Sequence, residues 1–398
     1  MTSVMHSRAK ISNAGFRSGG GLALVVALLL GILTIQAAPA QKLSVLYNFT
    51  GSKDGGNPYV GVIQGPTGFY GTTFSGGVYS AGTVFEVTRA GTETVLYSFS
   101  GGTDGGQPDA ALIRDSKGNL YGTTSNGGAH GIGTVFEVSP AGTETVLYSF
   151  TYADGASPSG GLIRDTAGNL YGTTSQGGSS GEGTVFKLDT TDTETVLHSF
   201  AGGATDGAYP YFTRLHMDTA GNLYGVTEEG GASNLGVVFE ISKSGDFSVL
   251  HSFAGGTTDG AFPSGPLMRD SDGNLRGTTQ AGGASNLGTI FELSSAGTLT
   301  LLHSFSGGKT DGSYPYGGLV QDPTGNLYGT GVGGGASGVG AIYELSTAGT
   351  YTLLQSLTPK TAGAYPYGSL VVDAKGNLFG TALQGGKSSF GTVFELTP

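Results

Sequence analysis

Along residues 95–150 the hydrophobic positions come in short bursts rather than in a helical rhythm. Apolar or β-branched runs occupy 111–115, 120–124, 133–138 and 145–150. Between them stand Asp115-Ser116-Lys117-Gly118-Asn119, a glycine-rich stretch over 125–132, and Pro140-Ala141-Gly142. Runs rich in Val, Phe, Tyr and Thr, punctuated by Asp, Gly and Pro, predict β-strands joined by turns. No stretch of this unit carries the 3.6-residue apolar spacing of a helix. Four short antiparallel strands are therefore expected in each unit.

The unit repeats. Gly118-Asn119-Leu120-Tyr121-Gly122-Thr123-Thr124 returns with its aromatic at Tyr70, Tyr171, Tyr224, Tyr328 and Phe379, and once with Arg276 there, at spacings of 50–53 residues. A second phrase, Gly-Thr-Val-Phe-Glu around Phe136, keeps step at Phe85, Phe186, Phe239, Phe291, Tyr343 and Phe394. A fixed period of this length sets the fold. Seven copies of four antiparallel strands predict an all-β chain, a seven-bladed β-propeller of four-stranded antiparallel blades. The seventh copy stops after its third strand, 391–396, while 43–49 is an orphan fourth strand. Pairing 43–49 with 391–396 would close the ring and leave no exposed sheet edge. The alternative architecture is a glycine-rich β-solenoid, whose coils are usually shorter and need no such pairing. In a propeller, the tight turns 115–119 and 139–144 fall on one face. The long loops 100–109 and 125–132 fall on the other, where function is expected.

Composition narrows this picture. Gly makes up 76 of 398 residues and charged residues 12%. The glycines hold fixed repeat positions between apolar runs, so the bias belongs to a folded array rather than a disordered one. Cys and Trp are both absent. No disulfide or thiol chemistry is available, and the Trp-based signatures of sialidase and quinoprotein propellers are missing. Residues 1–40 lie outside the repeats. Arg8, Lys10 and Arg17 precede an apolar run over 21–35 and then Ala38-Pro39-Ala40, which predicts a secretory signal peptide cleaved after Ala40. The expected organisation is a 1–40 leader and one seven-repeat domain over 41–398. That domain would be exported to the extracellular or periplasmic space, with no membrane span after cleavage, and monomeric. It keeps 15 of 18 basic and all 29 acidic residues, a net charge of −14. Such a surface repels phosphate backbones and excludes nucleic acid as the expected partner.

The pattern D-G-x-x-P…G-L-x-x-D-x-x-G-N-L-Y-G-T-T-x-x-G-G…G-T-V-F resembles the tandem repeat of the GloVer family, exported bacterial proteins with varied C-terminal anchors. The resemblance covers 43–398 and implies export and a propeller-like array, with no established activity or catalytic residues to carry over. This chain departs from anchored members in ending at Thr397-Pro398, directly after a strand, so no sorting tail is expected.

Candidate chemistry lies in the long loops. Asp-Gly pairs recur at Asp54, Asp104, Asp154, Asp206, Asp259 and Asp311, with Ala362-Gly363 in the last copy. They read either as a ring of carboxylates able to hold Ca²⁺ or as turn-forming residues that each blade needs. Around the loop proline gather Tyr59, Tyr209, Tyr211, Phe262, Tyr314, Tyr316, Tyr365 and Tyr367. Such rings can stack on sugar faces or pack between blades. His198, His251 and His303 occupy the outer-strand Tyr position and read as structural. His130, Glu182, Glu228 and Glu229 break the repeat and are site candidates for that reason. No nucleophile elbow, HExxH or phosphate loop occurs. The expected function is a non-enzymatic binding propeller with an extracellular glycan or protein as partner. It would need no cofactor beyond Ca²⁺, and Tyr211, Tyr314, Tyr316 and Tyr367 would be the main contacts. The alternative is a metal-dependent hydrolase or lyase acting on an extracellular carbohydrate or lactone.

Overall fold

The computed structural model describes residues 41–398, so the leader expected over 1–40 lies outside the described residues. Seven four-stranded antiparallel sheets follow one another along the chain. Blade 1 comprises Ile63–Gln64, Gly68–Thr73, Thr83–Thr88 and Glu93–Ser98, innermost strand first. Blade 2 comprises Ile113–Arg114, Leu120–Thr124, Thr134–Val138 and Glu144–Ser149. Blades 3 to 6 repeat this order from the innermost strands Ile163–Arg164, His216–Met217, Gly260–Arg269 and Val320–Gln321. Blade 7 takes Val371–Val372, Leu378–Ala382 and Thr392–Thr397 from the chain's end and Lys42–Asn48 from its start. Leu43 pairs with Leu396 and Val45 with Phe394, which closes the ring as the orphan strand predicts and rules out the solenoid. No helix occurs among the described residues, and so none is long and apolar enough to cross a membrane.

The innermost strands are shorter than the apolar run 111–115 suggests. Six of the seven have only two residues. The residue before each loop proline is held in the left-handed region, as at Gln107 (φ 55°), Tyr209 (φ 52°) and Tyr314 (φ 53°). A left-handed residue followed by a proline without an N–H weakens the ladder there, and six blades resume regular pairing only beyond it. In blade 5 the strand runs through Phe262 and Pro263, which pairs with Thr279.

The second and third strands of each blade are buried on both faces, because every blade is sandwiched between two others. Aromatic rings join the blades. Phe99, after the outer strand of blade 1, meets Phe136 of blade 2 edge to face at 5.0 Å. Phe49–Phe85, Phe150–Phe186, Phe200–Phe239 and Phe253–Phe291 repeat the contact. The Phe136 ring crosses the second strand where Gly122 stands, and a Cβ there would sit 2.6 Å from its Cζ. That close approach explains the Gly inside the Leu-Tyr-Gly-Thr-Thr phrase.

In blades 2 to 7 the Asp that opens the turn after the innermost strand is held by local hydrogen bonds. Asp115 Oδ1 accepts the amides of Lys117 and Asn119 at 2.9 Å, and Tyr121 donates its hydroxyl to Oδ2 at 3.3 Å. Arg276, which breaks the phrase in blade 5, does the same work. It donates to Asp270 at 3.4 Å and to Glu292 at 2.7 Å.

Candidate functional site

Each innermost strand pairs on one side only, so seven free edges surround an axial channel. Its cavity measures about 540 Å³ and takes lining residues from all seven blades. Most are apolar or glycine, among them Val60, Ile63, Ile163, Met217, Met268 and Val371.

Aromatic rings cross the channel at its long-loop end, where the innermost segments begin. Tyr59 of blade 1 stacks on Phe212 of blade 4 at 4.9 Å and 20°. These blades stand across the ring from one another, so the pair bridges the opening. Tyr367 meets Tyr59 at 4.9 Å, Tyr316 meets Tyr367 at 4.9 Å, and Tyr211 lies 3.9 Å from Phe212. All five rings are half-buried. Burial pushes the Tyr211 and Tyr316 hydroxyls up to about 12, so both remain proton donors. Offset and edge contacts of this kind each contribute about 0.5–1.5 kcal/mol beyond area burial.

Two carboxyls stand beside this row. Asp109 of blade 2 is 5% exposed, and its Oδ1 has no partner. Burial pushes it up to about 7. Glu228 is also raised, chiefly by burial, and accepts from Gln280 Nε2 at 3.3 Å.

The predicted residues divide among these surroundings. Tyr211, Tyr316 and Tyr367 come together in the row, joined by Tyr59. Tyr209 and Tyr314 occupy the left-handed pre-proline position and stand outside it, 37% and 44% exposed. Tyr365 shares that backbone conformation and is half-buried. His130 is exposed on a blade 2 loop, apart from the row. Glu229 accepts from Asn234 Nδ2 at 3.3 Å, and its backbone pairs with Ala208. The repeated loop carboxylates are held at their own outer strands. Tyr47, Tyr97 and Tyr148 donate to Asp54, Asp104 and Asp154 at 2.8–3.0 Å. His198, His251 and His303 meet Asp206, Asp259 and Asp311 at 3.0–3.2 Å. Each of these carboxylates also accepts a backbone amide, as Asp104 does from Ser100 at 2.7 Å. Among the described residues no three His, Asp or Glu side chains converge as metal ligands.

Sequence reasoning missed three residues at the channel. Phe212 follows a one-residue lengthening of the blade 4 loop and is itself left-handed (φ 51°). Arg214 lines the cavity at a position filled by Gly61, Ala111, Gly161, Pro266, Gly318 and Ser369 in the other blades. Asp109 takes the place held by Tyr59, Tyr316 and Tyr367. Position-by-position comparison of the repeats carries the signal for all three.

A ring of seven four-stranded sheets around a channel roofed at one end defines the class of this protein: a β-propeller with a candidate ligand site on its axis. Within that class the chain belongs to the Gloeobacter/Verrucomicrobia repeat family, which matches residues 32–218, 146–322 and 212–398. No curated protein matches the sequence. In fold it is similar to the extracellular domain of a protein assigned as a one-component system of B. thetaiotaomicron. That likeness has a TM-score of 0.53 at 11% identity and covers 84% of this chain but 38% of the other. It is also similar to a Bacteroides uniformis protein assigned as a 6-phosphogluconolactonase, with TM-score 0.50, 15% identity, and 76% and 84% of the two chains covered. At these identities the likeness is one of fold.

Proposed function

We propose that this chain is an exported, non-enzymatic propeller that binds an extracellular glycan at its long-loop face. The observation that carries the reading is the row of half-buried rings across the channel mouth, with the exposed Tyr209 and Tyr314 beside it. Sugar C–H faces pack on such rings, while hydroxyls can bond to Tyr tips, to Asp109 and Glu228, and to the irregular loop backbone. Export rests on the leader pattern in 1–40. A glycan array on the purified protein, run with and without Ca²⁺, tests the reading. Binding should weaken about tenfold in the Tyr314→Ala/Tyr316→Ala variant, on the order of 1 kcal/mol per lost ring. An array with no bound glycan, or a variant that binds like the parent, removes the reading.

A second reading, a hydrolase or lyase acting on a carbohydrate or lactone, is favoured by Asp109, a carboxyl poised near neutrality at a channel mouth. Lactone hydrolysis abolished by Asp109→Asn would carry it over the binding reading; a rate equal to the buffer blank would dispose of it.

A further inference from the structure

We propose that the axial channel below the aromatic roof is itself a binding site for a monocarboxylate with an unbranched apolar tail, its carboxylate held by Arg214. Six arginines occur in 41–398. Arg89, Arg269 and Arg276 face carboxylates, while Arg114 and Arg164 lie over Tyr70 and Tyr121. Arg214 has neither kind of partner. It lines the cavity and is exposed within the channel, while the protein that encircles it lowers its affinity for the proton. An unpaired cation exposed inside a protein-walled channel attracts an anionic ligand.

Its surroundings define the ligand. The Arg214 stem passes over Gly161, whose Cβ position lies 3.4 Å from Cβ, Cγ and Cδ of the arginine. Two residues before Gly161 on the same segment, Ser159 also lines the cavity. It is 1% exposed, and its hydroxyl has no partner. A planar guanidinium suits a carboxylate, which can take two parallel N–H bonds from it, and the Ser159 hydroxyl in the same lining offers a further donor. Arg164, the other cation of the lining, is turned to Tyr121 and the Gly168 turn, so Arg214 is left among largely apolar walls, which suits a single negative charge on a long apolar body. Ile63, Ile163, Met268, Val320 and Val371 line the lower channel at the level of His216, the one polar side chain of that level in the lining. Burial, and then Arg269, lower the His216 pKa, so near neutrality it presents an uncharged ring. The rings of Tyr59, Phe212, Tyr316 and Tyr367 close the far end, so the ligand enters from the short-turn face. The site is therefore separate from the one proposed for glycans.

Isothermal titration of the full chain with hexanoate, octanoate and decanoate tests the proposal, with octanol and inorganic phosphate as controls. Affinity should rise about fourfold per added methylene, the fold-change of burying one CH₂. Octanol and phosphate should bind at least tenfold more weakly than octanoate. Arg214→Ala should fold, because six blades carry Gly, Ala, Ser or Pro there, and should lose octanoate binding at least tenfold. Arg214→Lys should keep part of it, Ser159→Ala should lose a few-fold, and Tyr314→Ala should change nothing. No binding by any of the three carboxylates, equal binding of phosphate, or an Arg214→Ala variant that binds octanoate like the parent would each overturn the proposal.

Discussion

Glu93, Glu144 and Glu194 open the outermost strands of blades 1, 2 and 3. Each is half-buried, and its Oε1 is sealed from solvent without a partner. Burial, and then the neighbouring carboxylates Asp54, Asp104 and Asp154, push each up to about 7. In blades 4 to 6 the same position holds Phe247, Leu299 and Tyr351, and Phe247 stacks on His198 at 3.9 Å. The perturbation is the triple change to Gln. Between about pH 4.5 and 7 the folded state keeps protons that the unfolded chain has lost, so stability falls as pH rises through this window. A shift from 4.5 to about 7 corresponds to ~3.4 kcal/mol for a fully sealed group. Half-exposure and solvent screening reduce this to ~1–1.5 kcal/mol per site, or ~4 kcal/mol for three. Gln cannot ionise, so the variant should be more stable than the parent by that amount at pH 8 and no more stable at pH 4.5. For 358 described residues the unfolding entropy is ~0.75 kcal/mol/K, which makes the gain ~5 °C in Tm. Asp109 and Glu228 titrate upward in both proteins, so the difference between the curves reads the three glutamates alone. Scanning calorimetry from pH 4.5 to 8.5 is the assay. Parallel Tm profiles for parent and variant would refute the reasoning.

Three further outcomes follow from the packing. Phe136→Ala removes a fully buried inter-blade ring and should cost about 3–5 kcal/mol, read as a lower urea midpoint; a shift worth less than 1 kcal/mol would contradict the contact. Deleting residues 41–50 removes the Lys42–Asn48 strand and the Phe49–Phe85 contact, so the whole ring should melt at a markedly lower temperature. An unchanged Tm would mean that closure contributes nothing. Asp311 is held down to about 2: burial alone would raise it, but hydrogen bonds from His303 and Ser306 outweigh that. Its contribution should be complete above pH 4 and vanish as pH falls towards 2. Asp311→Asn should therefore flatten part of the acid limb of unfolding followed by circular dichroism, and an unaltered limb would count against the assignment.

The sequence alone determined the architecture because the information is periodic and local. The Leu-Tyr-Gly-Thr-Thr phrase alternates into two buried faces, the Asp115-type turn satisfies its own amides, and the orphan strand 43–49 has a single vacancy to fill. The outer-strand histidines could likewise be assigned to the frame from their place in the repeat, and each is found against its Asp. The channel was decided elsewhere. Tyr59 and Phe212 belong to different repeats and meet only because seven blades close into one ring. Which of the seven tyrosines around the loop prolines join the roof depends on backbone geometry. The residue before the proline is left-handed and stands outside the row, while the residue after it turns inward. Arg214 looks like an ordinary surface charge in the one-dimensional pattern. It becomes an unpaired cation within the ring only once curvature brings the seven free strand edges together around a common axis.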